Sequence, residues 1–581
     1  MCDTEWRVPL DAFLARTRSL GRLLTDYRTA VDLADGIRAR LAHGQAELAE
    51  LDRALRGEAP SLSVDEVSAL LAGSRFTKRS LESFQERDLA RMLSLPHGVN
   101  FSVPGAGKTT VAYAAYEAER ERGRVEQLLV VAPISAFDAW FTEAEECFEP
   151  PPRVERLVGR VPRCEVLLVN YQRLKSRYVA ISRWVMEKPT HVILDEAHRM
   201  KKGRDGEWGS ACLDLAFLAE RRDILTGTPA PQHPRDLVAL LDYVWAQRSD
   251  RILPRSINQV SPPDSVMRDV SDRLRPLFAR TTKNELGLDA PSLRVELVEM
   301  KPLQAEIYNV LCRRVRRSIA LTQTHAQLSR MGIVVAYLLQ AATNPGVLAR
   351  ALAGASPSAV QYPPAPVPPD SPLAEKVVNY ARYETPRKFE KLAAMVAENT
   401  AAGRKTLVWA NFVANLTELH ERVLAPYEPA LIYGGVPSGD EDAEFVTRER
   451  ELKRFRKDDD CLVLLANPAA MSEGVSLHEE CHDAIYLDRS FNAGHYLQSI
   501  DRIHRLGLKP GTETRITFLV SVGTVDEVVD QRVRDKAVRL ALMMSDPHLV
   551  TMALPDDDAY DDLIDPEDMN ALFEHLAAHD D

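Results

Sequence analysis

The chain has 581 residues, 45% of them hydrophobic and 27% charged, with a formal net charge of −12 at pH 7. That length exceeds what one hydrophobic core supports and implies three or four compact units, and the balanced composition is that of an ordinary globular protein. Seven scattered cysteines without a Cys-x-x-Cys pair argue against a disulfide framework or a zinc ribbon, and no apolar run is long enough to span a bilayer.

Asp3, Glu5 and Arg7 stand where a signal peptide would have its apolar core, so a cytoplasmic location with no membrane partner is expected. The negative charge is local. Residues 546–581 hold twelve Asp or Glu and no Lys or Arg, so the first 545 residues carry 73 of each sign. A neutral body can still present a basic groove, and nucleic acid is therefore not excluded as a partner.

In chain order, Leu10, Phe13, Leu14, Leu23, Leu24 and Tyr27, then Leu41, Leu48, Leu51 and Leu55, recur at helical spacing. They predict a helical pair within an N-terminal helical region, 1–75, that packs on the next domain or serves as a partner-docking arm. From 76 to 232, short apolar runs alternate with helical stretches: Gln127 to Ala132, Glu165 to Asn170, His191 to Leu194 and Asp223 to Leu225. Such runs read as buried parallel strands whose polar ends collect chemistry.

Residues 233–385 read as helical insertions and linker, with a proline-rich connection from Pro357 to Pro372. Residues 386–545 repeat the strand texture in Lys405 to Ala410, Leu431 to Tyr433, Cys461 to Ala466, Ala484 to Leu487 and Arg515 to Val520. The fold class expected is α/β, with two parallel-sheet lobes. The acidic tail, 546–581, closes on a predicted helix with Asp565 as cap, Pro566 at its first position, and Met569, Leu572, Phe573 and Leu576 on one face. It is read as a partner-docking or autoinhibitory segment, or as a solvated tail.

Ser102-Val103-Pro104-Gly105-Ala106-Gly107-Lys108-Thr109 is a phosphate-loop pattern with serine in place of the first glycine. Its backbone amides, from Gly105, Ala106 and Gly107 through Thr110, would cradle phosphates, with Lys108 on the β and γ groups of ATP and the Thr109 hydroxyl on Mg²⁺. Asp195-Glu196-Ala197-His198 follows an apolar strand. That context assigns Asp195 to Mg²⁺ and Glu196 to the attacking water. His198 and Thr226-Gly227-Thr228 are expected to relay nucleotide state. Gln498, Arg502 and Arg505 lie in a late segment that would complete the ATP site from across a cleft; on a helix, arginines three apart face the same way. The run His478-Glu479-Glu480-Cys481-His482 is a weak metal pattern and reads better as a strand edge.

The order of these motifs resembles that of superfamily-two helicase-like ATPases, and within them the Swi/Snf-type DNA translocases, from about Phe84 to Met544. Gln85 resembles the family's adenine-reading glutamine. LLVVAPISAFDAW at 128–140, VLLVNYQRL at 166–174, ILDEAHRMKK at 193–202 and ILTGTPAP at 224–231 resemble successive motor motifs. The more diagnostic likeness lies in LRPLFARTTK at 274–283, LLQAATNPGVL at 338–348, residues 388–412, and the helix-like run at 523–544. Around Ser472 to His478, Glu473, Ser476 and His478 depart from the family's glycine-rich pattern.

The resemblance implies two RecA-like lobes, nucleic-acid-stimulated ATP hydrolysis, and translocation on double-stranded DNA within a multi-protein system such as genome defence or repair; the Ala- and Arg-rich composition looks prokaryotic. Ser135, Asn170, Arg280, Lys283, Asn411 and Ser472 are the candidates for nucleic-acid contact, and the N-terminal helices or the tail are the candidates for protein partners. The competing readings are a helicase that separates RNA or DNA strands and an ATP-gated recruitment module with little translocation.

Overall fold

The computed structural model describes residues 34–230, 233–259, 261–320, 328–352, 371–437, 446–471, 475–489, 499–500, 502–505, 507–509 and 511–544, with single positions at 13, 571 and 575. The chain divides into two compact units, Met1–Leu286 with Arg539–Asp546 and Gly287–Val538 with Pro547–Asp581.

The first unit is built on six parallel strands: β1 (Gly98–Asn100), β2 (Gln127–Val131), β3 (Val154–Arg156), β4 (Val166–Val169), β5 (Thr190–Asp195) and β6 (Arg221–Leu225). Their order is β1-β6-β5-β2-β4-β3. Apart from the edge strand β3, each is buried along its whole length. Strands enclosed on both faces need apolar side chains at successive positions, which is why they are uninterrupted apolar runs in the sequence. The helix Lys108–Glu121, buried at every position from Thr110 to Glu119, packs Tyr113 edge-on to Trp140 with ring centres 5.0 Å apart.

The second unit repeats the plan with β7 (Ser292–Val298), β8 (Thr406–Trp409), β9 (Ala430–Ile432), β10 (Val463–Ala466), β11 (Asp483–Tyr486) and β12 (Arg515–Ser521), in the order β7-β12-β11-β8-β10-β9. All its pairs are parallel. Phe389, Leu392 and Val396 of helix Arg387–Ala401 pack on its central strands. Two RecA-like α/β lobes are thus present.

The region expected to be helical insertion, 233–385, differs from that expectation. Residues 233–286 belong with the first unit and 287–385 with the second, and β7 lies inside the stretch. Ser292-Leu-Arg-Val-Glu-Leu-Val is an alternating edge strand whose partner is β12, Ser292 pairing with Arg515. A contact that distant in sequence leaves little local trace. Most of the proline-rich segment, the N-terminal positions before Ala34 other than Phe13, and the tail apart from Ala571 and His575 lie outside the described residues. Among the described residues, no helix is long and apolar enough to cross a membrane.

The helix Asp35–Leu55 docks on the first lobe through a buried charge cluster. Arg222 of β6 donates to Glu47 at 2.6 Å, and His97 Nε2 lies 3.0 Å from the same carboxylate. Burial alone would raise the Glu47 carboxyl, but Arg222, His97 and His43 hold it well below the usual range. His97 is pushed down to about 4, first by burial and then by Arg222. An unfolded histidine protonates near 6.5, so this contribution to stability is complete above that pH. It is lost as the pH falls from 6.5 towards 4, by up to about 3 kcal/mol, partly offset by His43, which its bond to Glu47 raises. Hydrogen-exchange protection of residues 35–55, corrected for intrinsic rates, is therefore expected to fall between pH 7 and 5. In His97→Gln the fall should be smaller.

Candidate nucleotide site

Three adjacent strands bring the motifs together. Asn100 of β1 and Asp195 of β5 both pair with Leu225 of β6, so the three strands end in one register line. Just beyond it lie Phe101, Glu196 and Thr226, which in turn lead into the phosphate loop, complete the acidic pair and open the threonine motif. The C-terminal ends of parallel strands are where such folds gather ligand-binding groups.

The phosphate loop turns through Gly105 at φ 88° and Gly107 at φ 72°, angles that a side chain at Cβ disfavours. A Cβ at Gly107 would also run into Gln85 Nε2. Lys108 Nζ donates to the carbonyls of Ser102 (3.0 Å) and Val103 (3.4 Å). Gln85 is committed at both ends, donating to Ala106 O at 3.2 Å and accepting the Glu82 amide at 3.0 Å, so here it braces the loop. Thr109 is half-buried at the start of the helix. The Thr110 hydroxyl donates to Glu143 at 2.7 Å.

Asp195 is fixed by two donors, the Trp140 indole N–H to Oδ2 (2.9 Å) and the Glu196 amide to Oδ1 (3.0 Å). Tyr171 donates to its main-chain oxygen at 2.8 Å. Burial, and then the charge of Glu196, push the Asp195 carboxyl up to about 6, with Lys108 opposing. The pair is short of positive charge, which is the condition a divalent cation relieves. Glu196 itself sits at φ 50°, a left-handed conformation that non-glycine residues rarely adopt.

The threonine motif joins this pair to the loop. His198, fully buried, bonds through Nδ1 to Thr226 Oγ1 at 2.9 Å and lies 3.5 Å from Glu196 Oε2. Thr226 Oγ1 also accepts the Thr228 amide at 3.2 Å, and the Thr226 amide donates to Asn100 O at 3.0 Å. A Cβ on Gly227 would lie 2.8 Å from Pro104 Cδ, closer than packed carbons approach. Because the proline ring cannot swing aside, Gly227→Ala should displace the loop and weaken nucleotide binding by about tenfold, the scale of an overpacking cost of 1–3 kcal/mol. Titration with a fluorescent ATP analogue checks this.

The nucleic-acid candidates are less uniform. Ser135 is exposed on the turn after β2. Asn170 caps the helix Tyr171–Ser176, its side chain accepting the Arg173 amide at 2.8 Å. Arg280 donates to Phe101 O at 2.6 Å and so belongs to the surroundings of the phosphate-loop strand, and Lys283 is buried. In the second unit Asn411 gives its amide to the buried Asp488 at 2.6 Å. Ser472 and Gln498 lie outside the described residues.

The arginine segment also departs from expectation. Residues 499–500 are helical, but 502–503 form a turn and 504–505 a bend, so no helix carries both guanidinium groups on one face. Arg502 is buried and donates to Val475 O at 2.9 Å, whereas Arg505 is only half-buried. His478, bonded to Ser476 at 2.6 Å, fills the space against Gly507, whose φ is 104°. Cys481 is buried with its thiol on the main-chain oxygens of Lys405 and Asp483.

Trp140, Tyr171 and Glu143 are site residues that sequence reasoning left unassigned. The first two lie inside motif-like runs, but their bonds to Asp195 depend on β2, β4 and β5 being neighbours.

A phosphate loop, an acidic pair and a threonine bridge at the ends of adjacent parallel strands define a helicase-like P-loop ATPase. The chain belongs to the Snf2-type superfamily-two ATPases: residues 101–345 match the SNF2-related domain and residues 387–507 the helicase conserved C-terminal domain. It is similar to the transcription regulatory protein SNF2 of Saccharomyces cerevisiae, 23% identical over 79% of this chain and 27% of that protein. It is also similar to the human DNA excision repair protein ERCC-6-like, 23% identical over 74% of this chain and 38% of that protein. The chain thus spans well under half the length of these relatives. Among solved structures, the Sulfolobus solfataricus SWI2/SNF2 ATPase core in complex with double-stranded DNA is 17% identical, with 82% of this chain and 95% of that one covered and a TM-score of 0.34. The fold assignment rests on the two sheets themselves.

Proposed function

We propose that this chain is an ATP-driven translocase on double-stranded DNA. The observation that carries the reading is the single register line that brings the Lys108 loop, Glu196 and the His198–Thr226 bond together, in a chain of the Snf2 family. Thr109 and Asp195 would hold Mg²⁺, which when bound neutralises phosphate charge. Lys108 exchanges its two carbonyl partners for phosphate oxygens. Glu196 orients the attacking water and takes its proton, and His198 passes the resulting change to Thr226 and Thr228. Arg502 and Arg505 of the second lobe supply positive charge in the transition state, Gln498 is assigned to the same step, and alternating grip on the DNA backbone turns hydrolysis into movement.

The setting we propose is a multi-protein system of genome defence or repair; similarity to a protein named for DNA excision repair supports the second. Steady-state ATP hydrolysis without nucleic acid, and with single-stranded DNA, duplex DNA and duplex RNA, tests the reading, with Glu196→Gln as the blank. Stimulation chiefly by duplex DNA, followed by displacement of a triplex-forming strand, is the expected result. Stimulation by RNA or strand separation would replace the translocase with a helicase, and no stimulation would favour a partner-gated module.

A further inference from the structure

The stretch that follows Phe278 lies parallel to the strand that feeds the phosphate loop. Ala279 bridges Asn100, its amide donating to Val99 O at 2.8 Å; the Phe101 amide donates to Ala279 O at 2.9 Å, and the Val103 amide to Thr281 O at 3.0 Å. Three buried side chains reinforce this backbone pairing. Ser102 Oγ donates to Asp88 Oδ2 at 2.6 Å and accepts the Thr281 amide at 2.8 Å. Thr281 Oγ1 donates to the same Asp88 oxygen at 2.8 Å. Asp88 is 3% exposed, Ser102 1% and Thr281 0%.

Each member leads somewhere. Asp88 belongs to the helix Ser83–Leu93, which also carries Gln85, the brace of the loop. Ser102 lends its carbonyl to Lys108. Five residues after Thr281, at Leu286, the first compact unit ends, and Gly287, at φ 68°, opens the second. Thr281 is therefore tied to the phosphate loop at one end and to the first of the covalent connections between the units at the other.

We propose that Asp88, Ser102 and Thr281 form a positioning relay through which the nucleotide state of the phosphate loop is transmitted to residues 281–287, where the chain first passes from one unit to the other. When Lys108 turns from the Ser102 and Val103 carbonyls to phosphate, the loop's first residues lose the bonds that hold them to the loop's own lysine and keep those to Asp88 and Thr281. Ser102 cannot shift without carrying Thr281, because the bonds between them are buried and water cannot replace them. Serine at this position, where the general phosphate-loop pattern has glycine, supplies the hydroxyl that makes the bridge. The relay deepens the translocase reading and gives the ATP site a mechanical outlet.

The test is hydrogen exchange on the full chain without nucleic acid, using a slowly hydrolysed ATP analogue with Mg²⁺. Analogue binding should change exchange of the 279–286 amides by about fivefold or more, the low end of ordinary site-to-site coupling. Thr281→Val should bind the analogue within about twofold of wild type yet lose that change, and Thr281→Ser should restore it. Should Thr281→Val fail to fold, Asp88→Asn, which keeps the volume of the carboxylate, is read instead. An unaltered nucleotide response in the folded variant, or no response in wild type, overturns the relay. A wild-type protein that shows the exchange response but no DNA-stimulated hydrolysis would refute the translocase reading and leave the relay standing.

Discussion

Glu196→Gln is expected to lower the rate of ATP hydrolysis by about 10²- to 10⁴-fold, the range for loss of a positioned general base. Nucleotide affinity should stay near that of wild type. Among the described residues the carboxylate meets His198, 3.5 Å away, whereas Asp195 is held by Trp140 and by the Glu196 amide. Glutamine keeps the shape but cannot accept a proton, so binding and turnover separate. Removing one charge from the acidic pair should also let the buried Asp195 carboxyl fall, because Glu196 is the second cause of its elevation after burial. Single-turnover hydrolysis beside equilibrium binding of a fluorescent analogue makes the measurement. A variant that binds weakly and turns over normally once saturated would remove Glu196 from the chemistry.

Arg505→Ala is expected to cost about 10³- to 10⁵-fold in turnover, the scale of an arginine that stabilises transition-state charge, without unfolding the second lobe. Arg502→Ala should lower turnover and also destabilise that lobe. The difference follows from their surroundings. Arg502 is buried and bonded to the carbonyl of the half-buried Val475, so alanine removes a charged donor from a partly buried acceptor, at about 1 kcal/mol. Arg505 is half-exposed on the bend that follows. Turnover measured together with the thermal unfolding profile of each variant distinguishes them. Equal unfolding and equal turnover losses would mean that the two arginines share one role.

Much of the chemistry was legible along the chain because it is carried by local patterns. The spacing of Gly105, Gly107 and Lys108 sets a loop that needs left-handed turns, and both glycines adopt them. The apolar runs at 127–132, 191–194 and 461–466 are parallel strands, since a strand covered on both faces has no polar side to alternate with. Two of the edge strands, β3 and β7, escaped. β3 is three residues long and β7 is exposed over most of its length, so neither has the buried signature of the central strands.

The sequence by itself determined the chemical inventory of this protein: a loop for phosphate, two carboxylates after a strand, a threonine motif and a late arginine segment, each read within a few consecutive residues. Only the tertiary structure decided which of those groups are free to act and which are used as braces. Asn170 is spent on a helix cap and Gln85 on the loop beside it, whereas Arg505 is left half-exposed. It also decided that Trp140 orients Asp195, and that Asp88, Ser102 and Thr281 meet although nearly 200 residues separate the first from the last. The reason is geometric. Strand order and register set which distant side chains come within hydrogen-bonding reach, and both are properties of the assembled sheet.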